Sequence, residues 1–359
     1  MQIFYLRWCA KLSQFNFFHN NWLDCTQLLQ DDVYNSAKDE CSVNLTSSFF
    51  NSLKFDVQSV QTYAKEAALL TASQLGNKPA LCLSGGVDSQ CAVLSFLNAG
   101  LNFDVVFMKF KDGLNAHDLQ YAQNFCKTNN IRLIEIEFNV LNFLARENYD
   151  YAVKYNCPSP HFTCHFKFFD ILQTLGYTGI VCGGTNPLQT ENNVWGSNYS
   201  RNNLKYINYV NTTGFPCQAN FLSFYPNLSW ALSLLTEKSN FNNRDASKLS
   251  DYTLRQQIEQ VRYDLKVRGM IRSGFTIKPQ ISKFTGFELI KKKLEKETGD
   301  GWAFEKLYRQ PLEKTLIKNT NINQRYTVFH MPDEVRETLK VLYDNNFTSS
   351  NATPSWITV

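Results

Sequence analysis

The spacing of apolar positions changes along the chain, and each change marks an element. Val57–Gln74 sets Val60, Tyr63, Ala64, Ala67, Ala68 and Thr71 at helical intervals. It stops at Gly76, just before Lys78-Pro79, as a helix end does. Residues 80–83 are a short apolar run, the length of a buried strand. Ser84-Gly85-Gly86 cannot comfortably continue that strand. From Gln90 the period is helical again, through Val93, Leu94, Phe96 and Leu97. Phe103–Phe110 reads as a second strand, and His117–Lys127 as a helix with Leu119, Ala122 and Cys126 on one face. In Ile131–Phe138, Ile134, Ile136 and Phe138 alternate with Glu135 and Glu137, the signature of a third strand with one polar face. Asn139–Tyr155 reads as one helix. Pro158 and Pro160 then break the chain, and Phe162, Phe166, Phe169, Leu172 and Leu175 form the stripe of the next helix. Ile180-Val181-Cys182 is a fourth short strand, followed by Gly183-Gly184-Thr185-Asn186.

Strands separated by single helices imply βαβ units and a parallel sheet, so the fold class is α/β. Ligands on such sheets sit at the carboxyl ends of the strands. Gln189–Thr213 is polar, Asn-rich and without period, which predicts a lid loop over the site. The remainder reads as a mostly helical C-terminal lobe: Phe221–Leu235, Leu249–Val267, Glu288–Glu297, Trp302–Leu316 and Asp333–Asp344, with a short strand at Arg325–Phe329. The expected division is an N-terminal segment of unclear role at 1–75, the sheet domain at 76–190, and the lid and helical lobe at 191–359. No internal repeat is visible.

Composition narrows the picture only slightly. The chain has 359 residues, enough for about two domains, and 43% of them are hydrophobic. A formal charge of +4 does not by itself indicate nucleic-acid binding. The ten cysteines are spread too widely for a disulfide scaffold, and Cys82 and Cys91 read as reduced core residues. No signal peptide and no apolar run of about 18 residues stands out, which predicts a cytoplasmic protein with no membrane partner.

The chemistry gathers at Ser84-Gly85-Gly86-Val87-Asp88-Ser89. A strand, a glycine turn and a helix start put free backbone N–H groups and partial positive charge where an anion can sit. Ser84 and Ser89 add hydroxyl donors, and the glycines let the backbone approach closely. Asp88 would repel a bare phosphate, so it calls for a magnesium ion between carboxylate and phosphate. The loop lacks the glycine spacing and lysine of a Walker A motif.

This string resembles the PP-loop of the N-type ATP pyrophosphatases, the adenine nucleotide alpha-hydrolase-like enzymes. The superfamily includes asparagine, GMP and NAD synthetases, 7-deazaguanine synthases and tRNA-thiolating enzymes. The resemblance covers roughly residues 78–190 and is specific only at the two glycine motifs. It implies ATP and Mg2+ as cofactors, with ATP cleaved to AMP and pyrophosphate to adenylate a substrate oxygen. It places ATP at Ser84, Gly85, Gly86, Val87, Asp88 and Ser89, with the base near Met108, Lys109 and Phe110. Gly183, Gly184 and Thr185 would supply further backbone amides.

Similarity to asparagine synthetases implies an amide ligase acting on a small-molecule acceptor. A glutaminase of that kind needs a cysteine nucleophile at the start of the chain. Met1 is followed by Gln2, so ammonia or a separate nitrogen or sulfur donor is expected. A lysine from the C-terminal lobe reaches pyrophosphate in those enzymes, and Lys283 and Arg272 are the candidates here. Gly-Tyr before the fourth strand and Gly-Thr-Asn after it also resemble the sulfur-transferring members. The alternatives are therefore a PP-loop sulfurtransferase, with RNA a less favoured partner, and a non-catalytic ATP-binding module. Cys157, His161, Cys164 and His165 are zinc-ligand types without a standard knuckle spacing. They offer a zinc site, a sulfur-carrying cysteine, or simply the start of a helix.

Overall fold

The computed structural model describes residues 60–155, 157, 160–184, 188–191, 194–197, 204–223, 225, 227–229, 231–232, 263–264, 266–280, 290, 292–293, 296–297 and 299, with two short strands near the N-terminus. Those two, Leu23–Asp24 and Asn44–Leu45, pair antiparallel with each other. The predicted elements at Trp302–Leu316, Arg325–Phe329 and Asp333–Asp344 lie outside the described residues.

The chain from Val60 alternates helices and strands. In order they are α1 (Val60–Leu75), β1 (Pro79–Cys82), α2 (Val87–Asn98), β2 (Asp104–Phe110), α3 (Ala116–Thr128), β3 (Leu133–Phe138), α4 (Val140–Arg146), α5 (Asn148–Lys154), α6 (Pro160–Thr174) and β4 (Gly179–Cys182). A hairpin of β5 (Leu188–Glu191) and β6 (Val194–Ser197), helix α7 (Leu204–Thr213) and strand β7 (Cys217–Gln218) complete the series.

The central sheet runs β3-β2-β1-β4-β7, and every neighbouring pair is parallel. The chain moves outward from β1 to β2 and β3, then returns to the other side of β1 for β4. The strand order therefore reverses between β1 and β4, and a crevice opens there beyond their carboxyl ends.

Alternation along the strands divides the core into two faces. Leu81, Leu83, Val105, Phe107 and Val181 pack with α1, α2, Phe221 and Met270. Ala80, Cys82, Val106, Met108, Ile180 and Cys182 point the other way, towards Phe166 and Phe169 of α6 and Tyr206 and Tyr209 of α7. Strands covered on both sides need apolar residues at successive positions. That explains why β1 and β4 read as unbroken apolar runs.

Three expectations are revised. The helix over 139–155 is two helices, α4 ending at Arg146 and α5 starting at Asn148, with Glu147 at φ −111° between them. The segment expected as a lid loop holds a hairpin and α7, whose Tyr206 and Tyr209 lie buried against the sheet. Its polar sequence hid an amphipathic helix. The helix over 221–235 begins as a 3-10 turn at Phe221–Ser223, with helical residues at 227–229 and 231–232. Sheet and core also extend past residue 190: β7 is the fifth strand, and Met270, Phe275 and Ile277 join the first core face. No helix among the described residues is long and apolar enough to cross a membrane.

Candidate active site

β1 delivers the chain into the crevice at Ser84, and α2 leads it away. Gly86 takes the N-cap position of α2 in an extended conformation and, being a glycine, offers no capping side chain; its own N–H donates to Ser84 Oγ at 3.4 Å. α4, by contrast, is capped by the Asn139 side chain, which accepts from the Asn142 N–H at 3.1 Å. Among the described residues, no side chain accepts from the first N–H groups of α2, as an anion site requires.

The loop is held by its own hydroxyls. Ser89 Oγ donates to the Gly86 carbonyl at 2.8 Å and accepts from the Ser84 N–H at 3.1 Å. Ser84 Oγ lies 3.2 Å from Ser89 Oγ. Two glycines are required by their surroundings. Gly85 has φ +80°, and a Cβ there would lie 2.5 Å from the Asp118 carbonyl oxygen. A Cβ on Gly183, after β4, would lie 2.3 Å from the Asp88 carbonyl oxygen. The two glycine motifs singled out by sequence thus meet at the crevice.

Residues far along the chain lock this arrangement. Gln90 is fully buried in the first turns of α2. Its Nε2 donates to the carbonyls of Gly85 and Lys278, both at 2.8 Å, and its Oε1 accepts from the Lys278 N–H at 2.6 Å. Gln280 donates to Asp118 Oδ1 at 3.1 Å. Asp88 forms an ion pair with Lys266, whose side chain is only 17% exposed.

A cavity of about 530 Å³ opens over the loop. Its polar end has Ser84, Gly86, Asp88, Ser89 and Gly183, and its other end has His161, Phe162, His165, Phe169 and Tyr206. Asp88 and Asp118 line it, but no lysine or arginine does, among the described residues. His165 Nδ1 lies 2.7 Å from the Tyr206 hydroxyl. The His161 and His165 rings are 4.8 Å apart. Desolvation by the aromatic walls lowers the His161 pKa to about 4. The exposed surface of His161 faces the cavity. The same burial, with His161 beside it, holds His165 well below the ordinary histidine range.

Asn220 closes the crevice beside β4. It is 6% exposed, lines the cavity, and forms a bridge with Gly183. Its Nδ2 has no hydrogen-bond partner among the described residues. A buried amide donor without a partner is costly, which suits a site that receives an acceptor from a ligand.

The predicted residues divide clearly. Ser84, Gly86, Asp88, Ser89, Met108, Phe110, Gly183 and Gly184 line the cavity, and Val87 is buried behind it. Lys109 does not: it alternates to the other side of β2, where its Nζ bonds Glu135 at 2.9 Å. The Met108 carbonyl and Phe110 N–H are both bonded to the Asn115 side chain, at 2.7 and 2.8 Å. A base at this position is therefore met by side chains and not by those backbone groups.

Arg272 is exposed and does not line the cavity. Among the described residues, the cation that pairs with the loop is Lys266, which a sequence full of exposed lysines does not single out. Thr185 and Lys283 lie outside the described residues. The four-residue zinc set is not assembled: Cys157 and Cys164 are fully buried, in different clusters. No group of three or more His, Cys, Asp or Glu among the described residues is arranged for a metal ion. Cys82 and Cys182 line the cavity instead. Cys82 is therefore not the plain core residue its sequence context predicted.

No family model matches the chain, and neither does any curated protein. Solved structures with a similar fold include an NMN synthetase from Francisella tularensis, at 11% identity and TM-score 0.30, covering 64% of this chain and 100% of that one. An NH3-dependent NAD synthetase from Campylobacter jejuni matches at 13% identity and TM-score 0.30, covering 69% and 97%. The U34-tRNA thiolase NcsA from Methanococcus maripaludis matches at 14% identity and TM-score 0.30, covering 73% and 81%. Likenesses this weak carry no functional argument, and the reading below rests on the loop and its cavity.

Proposed function

We propose that this chain is an ATP-dependent adenylating enzyme that cleaves ATP to AMP and pyrophosphate, making an acyl adenylate for a nitrogen nucleophile. One observation carries the reading. The uncapped N-terminus of α2, bearing Gly85, Gly86 and Asp88, opens into a cavity at the point where the strand order reverses. Triphosphate oxygens fit the free amides and the Ser84 and Ser89 hydroxyls. Among the described residues the charged side chains that line the cavity are carboxylates, so a polyanion needs added positive charge there. Asp88 together with phosphate oxygens is a donor set that magnesium accepts. When bound, the ion neutralises charge developing on the phosphates.

In the first step a substrate oxygen attacks the α-phosphorus, and the bond to the β-phosphate breaks. Charge builds on the departing pyrophosphate. The α2 amides face it, and Lys266, outside the cavity lining, positions the Asp88 carboxylate through their ion pair. Ammonia or another nitrogen donor then attacks the activated carbon, and AMP leaves. His161 and His165, held neutral by burial, line the other end of the cavity as uncharged polar groups for the acceptor. Sulfur transfer is the second reading, favoured by Cys82 and Cys182 on the cavity wall.

Pyrophosphate release tests the proposal. Wild-type protein with ATP and Mg2+ is given a small-carboxylate pool plus ammonium, or an RNA pool plus a sulfide donor. Release with the first pool that is lost in Asp88→Ala supports the amide-forming reading. Release only with the second pool replaces it by sulfur transfer. No release in either leaves an ATP-binding module.

A further inference from the structure

β1 and β4 carry cysteines at the same level of the sheet: Cys82 and Cys182 are direct register partners. Their side chains emerge on the same face, among residues of α6 and α7. Neighbouring strands lie about 4.8 Å apart, inside the roughly 4.4–6.8 Å Cα range of disulfides. Both cysteines are half-buried, and both line the cavity, so a small oxidant reaches them from solvent. Cys217 of β7 is fully buried on the other side of Cys182. All three are free thiols.

We propose that Cys82 and Cys182 are an oxidation-sensitive thiol pair that closes to a disulfide across the floor of the cavity. Cys182 is the attacking thiol. Hydrogen bonds with Cys217 and Cys82 hold it well below the ordinary thiol range, outweighing burial. Cys82 moves the opposite way, raised by its bond to Cys182 and by burial. Burial and the bond to Cys182 raise Cys217. Hydrogen peroxide is the oxidant. The Cys182 sulfur displaces hydroxide from peroxide and becomes a sulfenic acid. The Cys82 sulfur then attacks that sulfur and water leaves. Overall, two thiols and one peroxide give one disulfide and two waters.

The bridge joins the residue two before Ser84 to the residue directly before Gly183. It therefore ties together the two loops that meet at Asp88. Oxidation would alter the phosphate end of the cavity without touching the ligand.

Peptide mapping tests this on the full chain and needs no nucleotide, so its outcome is independent of the adenylation reading. Protein is treated with hydrogen peroxide, alkylated under denaturing conditions, digested and read by mass spectrometry with and without reductant. The expected product is a Cys82–Cys182 peptide pair, lighter by two hydrogen atoms and released by dithiothreitol. In untreated native protein, Cys182 is expected to alkylate at least about tenfold faster than Cys164. Cys82→Ser and Cys182→Ser abolish the pair, while Cys157→Ser retains it. Full alkylation of both cysteines after peroxide would overturn the proposal, as would a bridge joining Cys182 to Cys217.

Discussion

Gly183→Ala tests whether the two glycine loops act as one site. The new Cβ would lie 2.3 Å from the Asp88 carbonyl oxygen and 2.4 Å from the Asp88 carbon and the Ser89 nitrogen. All three are backbone atoms, so no rotamer change relieves the clash. Ordinary contact begins near 3.4 Å, so the start of α2 must retreat by about 1 Å. Overpacking of this kind costs about 1–3 kcal/mol, or roughly 2–6 °C in melting temperature. The catalytic effect should be larger, because a shift of about 1 Å in positioned groups costs on the order of 100-fold. Gly86→Ala is the comparison: among the described residues its Cβ would meet Ser84 Oγ alone, at 3.4 Å, an ordinary contact. It should melt like wild type while still obstructing the anion. Differential scanning fluorimetry and pyrophosphate release read the two effects separately. If Gly183→Ala kept both wild-type melting and wild-type turnover, the contact between the loops would be wrong.

Four further outcomes follow from the same geometry. Lys266→Met should lower turnover about 100-fold, yet change stability by less than about 1 kcal/mol, since Asp88 retains solvent contact; a loss below threefold would remove Lys266 from the mechanism. Gln90→Leu leaves the Gly85 carbonyl and both Lys278 backbone groups without their partner, and should cost about 2–4 kcal/mol in urea unfolding; an unchanged midpoint would contradict this. Asn220→Leu removes an unsatisfied buried donor, so it should be neutral or stabilise by about 1 kcal/mol while turnover falls about tenfold; lost stability with full turnover would show that Nδ2 serves the fold. Stability should also fall as pH drops from about 6.5 towards 4, because the unfolded state takes up protons that the depressed folded pKa of His161 refuses; thermal melts of His161→Gln should show a flatter profile.

Much of this site was legible because each feature depended on local chemistry. The apolar run before Ser84, the glycine pair and the helical period after Gln90 define a strand, a turn and a helix without tertiary information. Helices alternating with strands implied a parallel sheet, and the structure adds its strand order and the reversal beside β1. The partners that lock the loop were not legible. Lys266 and Asp88 are 178 residues apart in sequence, and nothing near Lys266 marks it among its exposed counterparts. Gln90 reads as an ordinary helix residue until Lys278 is brought against it. Cys157 and Cys164 stand beside histidines in the sequence, but the turn after α5 buries Cys157 and the phase of α6 buries Cys164. Part of the signal for Cys82 and Cys182 was available: each lies near the end of a short apolar strand that leads into a glycine motif, but the register that pairs them is a tertiary fact.

The most direct measurement is the identity of the nucleotide product. Protein, Mg2+ and ATP labelled at the α-phosphate are incubated with the acceptor pool, and the products are separated by chromatography. The account predicts labelled AMP and equimolar pyrophosphate from wild type, and neither from Asp88→Ala. Labelled ADP with inorganic phosphate would mean that the β–γ bond is cut, and would contradict an α2 N-terminus arranged to release pyrophosphate.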